Sequence, residues 1–222
     1  MNRTAKLIAT VALIAGTFGA LGAGAPASAA EDQGPNQQLL TAARNADEGA
    51  VKAALDEGAA VDSRNRIGDT ALITACKKGV SGMARTLVER GANVRQADVQ
   101  GITPLMAAAY GGYDDIVRLL LAHGADPAAV DRVGKTAMEY AAGQGHTGVV
   151  RLLLDAGVDV NRIYKNDLTA LMWAAGYDHA DTVKLLLERG ANRVLRDNRG
   201  KTAKDIAQQT GSSRAAALLS AD

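Results

Sequence analysis

The sequence is poor in the residues that form most covalent and metal-based sites. Its 222 residues include one cysteine, three histidines, four prolines and 3% aromatic residues. The single cysteine, Cys76, excludes an internal disulfide, and no spacing among the histidines and nearby carboxylates matches a metal site. Stability must therefore come from packed secondary structure, and we expect Cys76 to be a small core residue.

Motifs of catalysis are missing as well. The chain contains no G-x-S-x-G, no phosphate-binding P-loop and no C-x-x-C. Asp114 and Asp115 stand at the start of a predicted helix, where acidic side chains complement the helix dipole. The sequence therefore predicts no enzymatic activity, no cofactor and no metal.

What the chain has instead is a strict internal period. Two series of residues each recur every thirty-three positions: Thr70, Thr103, Thr136, Thr169 and Thr202, and Gly58, Gly91, Gly124, Gly157 and Gly190. A fixed period of this length requires one supersecondary unit used repeatedly, because each copy buries its apolar face against its neighbours.

The third copy shows the unit most clearly. Residues 98–101 predict a turn, Thr103 is an N-cap, and Pro104 stands at the first helical position, where its missing N–H is not needed. A short alanine-rich helix ends at Gly111, and a second helix ends before Gly124. One position of the first helix is always small, which lets neighbouring helices approach closely: Ala43, Cys76, Ala109, Ala142 and Ala175.

This unit resembles the ankyrin repeat. The family's core hexapeptide is matched at residues 70–75, 103–108, 136–141, 169–174 and 202–207, and residues 39–43 mark a degenerate first copy. The resemblance implies an all-α solenoid of helix-turn-helix units with β-turn or hairpin loops. It implies an ankyrin repeat domain over 37–222, with about six repeats including degenerate caps: 37–64, 65–97, 98–130, 131–163, 164–196 and 197–222.

The chain departs from the family pattern in two informative ways. The histidine that usually follows the leucine of the hexapeptide is absent from every copy, which removes its usual hydrogen bond. In copy five, Asp167 and Asp178 replace two glycines and Tyr164 replaces the turn aspartate. Two interpretations stay open, namely neutral drift and a specialised, softer hairpin over residues 164–168.

The N-terminal residues have a different composition. A basic start containing Arg3 and Lys6 precedes an uncharged apolar stretch over 7–24, and an A-x-A site ends at Ala29. These features predict a Sec-type signal peptide over 1–29, followed by a linker over 30–36. We expect a bacterial periplasmic or secreted protein with no stable membrane insertion once the leader is cleaved. A retained leader acting as a membrane anchor is the alternative.

The family resemblance also indicates which residues face a partner. Turn residues, the exposed end of the first helix and the residue before each turn line the concave face of ankyrin arrays. In this chain those places hold eleven bases against one acid, Asp69, although removal of the leader leaves a formal net charge of −1. The bases are Arg44, Arg64, Arg66, Lys77, Lys78, Arg132, Lys135, Lys165, Arg196, Arg199 and Lys201.

The third copy contributes no base to this face. It places apolar side chains there, which predicts an apolar centre with an aromatic anchor and a basic rim, as in protein-binding hot spots. The centre comprises Val99, Ile102 and Tyr110 with Val130 and Val133, extended by Ile163, Leu168 and Tyr177.

These patterns predict a periplasmic scaffold that binds an acidic surface of another exported protein. Exported bacterial ankyrin proteins suggest that it supports its partner, with a redox or stress-defence enzyme as one such partner. Two alternatives are an immunity-type inhibitor of an exported toxin and a binder of an anionic lipid or glycan surface. Nucleic acid is disfavoured by the predicted location.

Overall fold

Residues 34–220 are described by the computed structural model, so the predicted signal peptide and most of the predicted linker lie outside the described residues. Between these bounds the chain forms twelve α-helices and no strand. They are α1 Pro35–Asn45, α2 Glu48–Asp56, α3 Ala71–Lys78, α4 Ser81–Glu89, α5 Pro104–Gly111, α6 Asp114–Ala122, α7 Ala137–Gln144, α8 Thr147–Asp155, α9 Ala170–Gly176, α10 Ala180–Glu188, α11 Ala203–Thr210 and α12 Ser213–Ser220.

The helices form six consecutive antiparallel pairs. Within each pair the two helices contact each other, and each first helix also contacts the first helix of the next pair, from α1 and α3 through to α9 and α11. The second helices contact one another in the same order. This is the all-α solenoid that the period predicts, in which a repeat buries its apolar side against its neighbours.

The period dictates where the first helices begin. Thr70 and Thr103 accept hydrogen bonds at Oγ1 from the backbone N–H three residues later, each at 3.2 Å. Thr169 and Thr202 cap α9 and α11 in the same way, at 3.3 and 3.2 Å. In α7 the Glu139 carboxylate accepts the Thr136 N–H at 2.9 Å. Each cap satisfies a backbone donor that the first turn of a helix leaves unpaired.

The small position of the first helices lies at the centre of the core. Ala43, Cys76, Ala109, Ala142 and Ala175 all have no exposed surface. Burial raises the pKa of the Cys76 thiol, so the reactive thiolate is disfavoured. The expectation that Cys76 is a core residue is confirmed.

From copy two onward, a backbone hydrogen bond joins the tips of adjacent hairpin loops, except between copies four and five. Val99 N–H donates to Ile67 O at 3.3 Å, and Arg132 N–H donates to Gln100 O at 2.9 Å. Between the hairpin tips of copies four and five, the link found among the described residues is the Lys165 ammonium, whose Nζ donates to Val133 O at 3.4 Å. Copies five and six are again joined, by a backbone bond between their tips.

The hairpin of copy five has its own conformation. Residues Lys165–Asp167 form a 3₁₀ turn, and Asn166 and Asp167 both take the left-handed region, with φ of 62° and 57°. Tyr164, which replaces the turn aspartate, is buried. The backbone of this hairpin therefore differs from that of the other copies, and both neutral drift and a specialised, softer hairpin stay open as interpretations.

No helix within residues 34–220 is both long enough and apolar enough to cross a membrane.

Candidate functional site

The eleven predicted bases lie at the surface of the array. Nine of them are exposed, and Lys135 and Lys201 are half-buried. They belong to the hairpin loops and to the ends of the first helices, which together we call the hairpin face. Several cross-contacts between loop and helix, such as the ion pair of Lys77 with Asp69, show that these two groups of residues share one side of the molecule.

Part of this positive charge is compensated. Lys77 Nζ lies 2.7 Å from Asp69 and 3.2 Å from Asp98, and Arg199 lies 2.6 Å from Asp197. The sequence count of one acid left out three aspartates that open hairpins, namely Asp98, Asp131 and Asp197. Their side chains lie beneath the loops, and two of them form ion pairs, Asp98 with Lys77 and Asp197 with Arg199.

The hairpin aspartates are there for a structural reason. One Asp98 oxygen accepts the N–H groups of Gln100 and Ile102 at 2.8 and 2.9 Å. Asp131 and Asp197 accept the equivalent pairs of N–H groups in their own loops. Burial acts to raise the pKa of Asp197, but the Lys201 N–H and the Arg199 side chain outweigh it and hold the pKa below its usual range.

The central repeats carry a cluster of aromatic side chains on the hairpin face. The Tyr110 and Tyr140 rings meet edge to face with centroids 5.9 Å apart. Trp173 and Tyr177 lie nearly parallel, with centroids 6.3 Å apart. We call Tyr110, Tyr140, Trp173 and Tyr177 the aromatic groove; its side chains come from the first helices α5, α7 and α9 and the residue that follows α9. Offset and edge contacts of this kind are the favoured aromatic geometries.

Tyr140 and Trp173 are candidate site residues that were not among the residues predicted from the sequence. They occupy the fifth place of the core hexapeptide, where the earlier copies have Thr74 and Ala107. The signal was available in the repeat, because only in copies four and five does this place change to an aromatic residue.

Lys135 lies within the aromatic groove. Its ammonium is 4.5 Å from the centroid of the Trp173 ring and 5.5 Å from that of Tyr140, within the range of a cation–π contact. Burial lowers the pKa of Lys135, and the negative charges of Glu139 and Asp131 partly oppose this shift. Among the described residues no carboxylate oxygen lies within 4.0 Å of its Nζ.

The apolar side chains of the predicted centre are exposed or half-buried. Val99, Val130, Val133 and Ile163 are 43%, 56%, 54% and 58% exposed, and Tyr110 is 41% exposed. Ile102, Leu168 and Tyr177 are half-buried. Ile67 in copy two is also 56% exposed and adds an apolar side chain to this centre, although it was not among the residues predicted from the sequence.

His146 and His179 have structural roles. The Nε2 atom of His146 lies 2.9 Å from Tyr110 O, and that of His179 lies 2.9 Å from Gly143 O, so each ring ties its repeat to the preceding one. Within residues 34–220 no three histidine, cysteine or acidic side chains are grouped as metal ligands would be.

Two family models match the chain. Ankyrin repeats in three copies match residues 39–131 and 101–164, and ankyrin repeats in many copies match residues 153–207. The chain belongs to the ankyrin-repeat family. Ankyrin repeats are modules of protein–protein interaction and are generally non-catalytic, so the chain is an interaction scaffold. No curated protein matches it.

Proposed function

We propose that the protein is an exported, non-catalytic scaffold that binds an acidic surface of another exported protein through the hairpin face. One observation carries the proposal: the aromatic groove lies among bases that have no carboxylate partner in the described residues. Four exposed bases have no carboxylate partner among the described residues: Arg66, Lys78, Arg132 and Lys165. An aromatic centre with a charged rim supplies both contact area and electrostatic steering.

The location rests on the N-terminal sequence. A leader with a basic start, an apolar stretch and an A-x-A site directs export through the Sec route, and cleavage after Ala29 would release the array. Mass spectrometry of the protein from the exported fraction should find Ala30 as its first residue. A protein that keeps its leader and sediments with the membranes would support the anchor alternative instead.

A charge-reversal experiment tests the binding face. Arg66, Lys78, Arg132 and Lys165 are changed to glutamate together, and partners captured from the exported fraction are quantified against the wild type. The matched control reverses four exposed bases of the second helices, at one equivalent position: Arg85, Arg118, Arg151 and Lys184. The net charge change is the same in both variants, so only the face differs.

We expect the hairpin-face variant to lose its partner and the control to keep it. Equal losses in the two variants, or no loss in either, would show that the hairpin face is not the binding surface. Capture of the partner should also persist in part at high salt, because salt screens the attraction between charges but not the contacts of the aromatic side chains. Complete loss at high salt would favour an anionic lipid or glycan surface.

A further inference from the structure

The aromatic side chains of this protein are concentrated in one place. The sequence has five tyrosines and one tryptophan, and four of these six side chains form the aromatic groove. Aromatic side chains give large, rigid contact areas at a small cost in conformational entropy. The groove is therefore the part of the hairpin face that is best suited to hold a partner side chain.

The lysine in this groove is held in position but not neutralised. Lys135 lies over the Trp173 and Tyr140 rings, and a side chain already fixed in place loses little entropy when it binds. Lys77, also on the hairpin face, contacts two buried carboxylates instead. The two lysines carry the same charge, but among the described residues Lys77 is paired with carboxylates and Lys135 is not.

The acidic groups nearest to Lys135 are engaged elsewhere. One oxygen of Asp131 accepts the backbone N–H groups of Val133 and Lys135 at 2.9 Å, and the other accepts the Tyr140 hydroxyl. Glu139 accepts the Thr136 N–H at 2.9 Å. These hydrogen bonds keep both carboxylates in the loop and at the helix start, so they stabilise the ammonium from a distance without occupying it.

The surroundings of Lys135 define what else the bound segment carries. Val133 and Ile163 are more than half exposed at the adjacent tips, and Tyr140 and Trp173 are half-buried beneath the ammonium. A carboxylate beside an aromatic or large apolar side chain complements this mixture of one cation and several apolar groups. A half-buried cation in a partly desolvated groove attracts a carboxylate more strongly than a fully exposed one does.

We infer that Lys135 is the anchor for a partner carboxylate, presented in a protein segment where an aromatic or large apolar residue stands next to an acidic one. This inference rests on the proposed function and specifies its partner. The exposed bases Arg66, Lys78, Arg132 and Lys165 steer the segment, and Lys135 with the aromatic groove fixes it.

Intrinsic fluorescence tests the anchor directly, because Trp173 is the only tryptophan of the sequence. The probe is a short synthetic peptide in which one phenylalanine stands between an aspartate and a glutamate. Its control has asparagine and glutamine in their places. The protein variants are Lys135→Met, which keeps the length of the side chain, and Lys78→Met, which removes one exposed charge from the same face.

We expect the acidic peptide to change the Trp173 emission saturably. Binding should weaken at least about tenfold in Lys135→Met and with the amide peptide, and less than about threefold in Lys78→Met. Circular dichroism of each variant shows that it is folded.

Three results would overturn the inference. They are no change in Trp173 emission with the acidic peptide, equal weakening in the two lysine variants, and a change produced by phosphatidylglycerol vesicles but not by the peptide. Equal weakening would leave the basic hairpin face intact as the binding surface and remove only the anchor. The proposed function fails separately, when the charge-reversed hairpin face still captures its partner.

Discussion

The first two repeats and the central three use the same backbone positions for opposite purposes. Lys77 in copy two and Tyr110 in copy three stand at one place of the repeat, thirty-three residues apart. In copy two the side chain binds Asp69 and Asp98 and joins two hairpins. In copy three it contributes an exposed ring to the aromatic groove. In copies two and three the first helix has the same length, a threonine N-cap and a glycine C-cap, so the difference between these two copies lies in the side chains.

This comparison shows that a base on the hairpin face is not by itself a binding residue. Lys77 bridges two carboxylates that are 8% and 5% exposed, so its charge stabilises the array. Lys135 contacts rings rather than carboxylates and remains available. We therefore expect the first region to govern stability and the second to govern binding.

The largest expected effect comes from removing the groove. The double variant Tyr140→Ala with Trp173→Ala should weaken partner binding by about a hundredfold, or about 3 kcal/mol, because buried aromatic contacts dominate protein interfaces. The matched control is Thr41→Ala with Thr74→Ala, at the same place of the first two repeats. Titration calorimetry with the captured partner measures both, and similar losses in the two double variants would contradict the comparison.

A second prediction compares how much Lys77 and Lys135 each contribute to the free energy of unfolding. Lys77→Met should lower the free energy of unfolding by about 1 to 2 kcal/mol, because two nearly buried aspartates lose their cation. This expected loss of stability is smaller than for a fully buried ion pair, because Lys77 is 38% exposed. Lys135→Met should change the free energy of unfolding by less than about 0.5 kcal/mol, since methionine also packs well on aromatic rings.

Urea unfolding of the two methionine variants gives both values. A larger loss for Lys135→Met than for Lys77→Met would mean that the groove lysine is a structural residue, and the division between the two regions would not hold.

The third prediction concerns pH in the central repeats. Burial raises the pKa of Glu139, and the Thr136 N–H and the Lys135 charge only partly offset this. A raised folded-state pKa means that ionising Glu139 costs stability at neutral pH. That cost is relieved as the pH falls through the folded pKa toward the unfolded value of about 4.3.

Glu139→Gln keeps an oxygen for the Thr136 N–H but removes the charge. We expect the variant to be more stable than the wild type at neutral pH, with an advantage that shrinks as the pH is lowered toward about 4.3. Urea unfolding at a series of pH values measures the difference. A constant difference between the two proteins would show that Glu139 is not the titrating group.

The smallest expected effect distinguishes two aspartates in copy five. Both replace family glycines and both have positive φ, 57° for Asp167 and 59° for Asp178. Asp178 accepts the Ala215 N–H at 2.9 Å and contacts Arg214, which links copy five to the last repeat. Asp167 is exposed at the hairpin tip.

Asp167→Gly should therefore stabilise the array by about 0.5 to 1 kcal/mol, because glycine adopts this conformation without strain. Asp178→Gly should destabilise it, since the lost hydrogen bonds outweigh the relieved strain. Thermal unfolding of the two variants side by side tests this, and shifts of the same sign would refute the distinction.

Much of the fold could be predicted from the sequence because each repeat is a local unit. Thr103 and Pro104 start a helix, Gly112 ends it, and neither event depends on distant residues. The exposure of nine of the eleven bases could also be predicted, since the period separates displayed positions from packed ones. The ion pair between Lys77 and Asp98 could not be predicted from the sequence. The two residues are twenty-one positions apart, and their contact depends on how adjacent hairpins approach each other.

The sequence by itself determined the family and the all-α repeat architecture. It did so because the helix caps, the helix-ending glycines and the small core position recur in register, and these act within one repeat or between neighbours. Only the tertiary structure decided which charges remain available and where the aromatic side chains meet. Those properties depend on distances between side chains of different repeats, such as the 4.5 Å from Lys135 to the Trp173 ring, which no one-dimensional pattern contains.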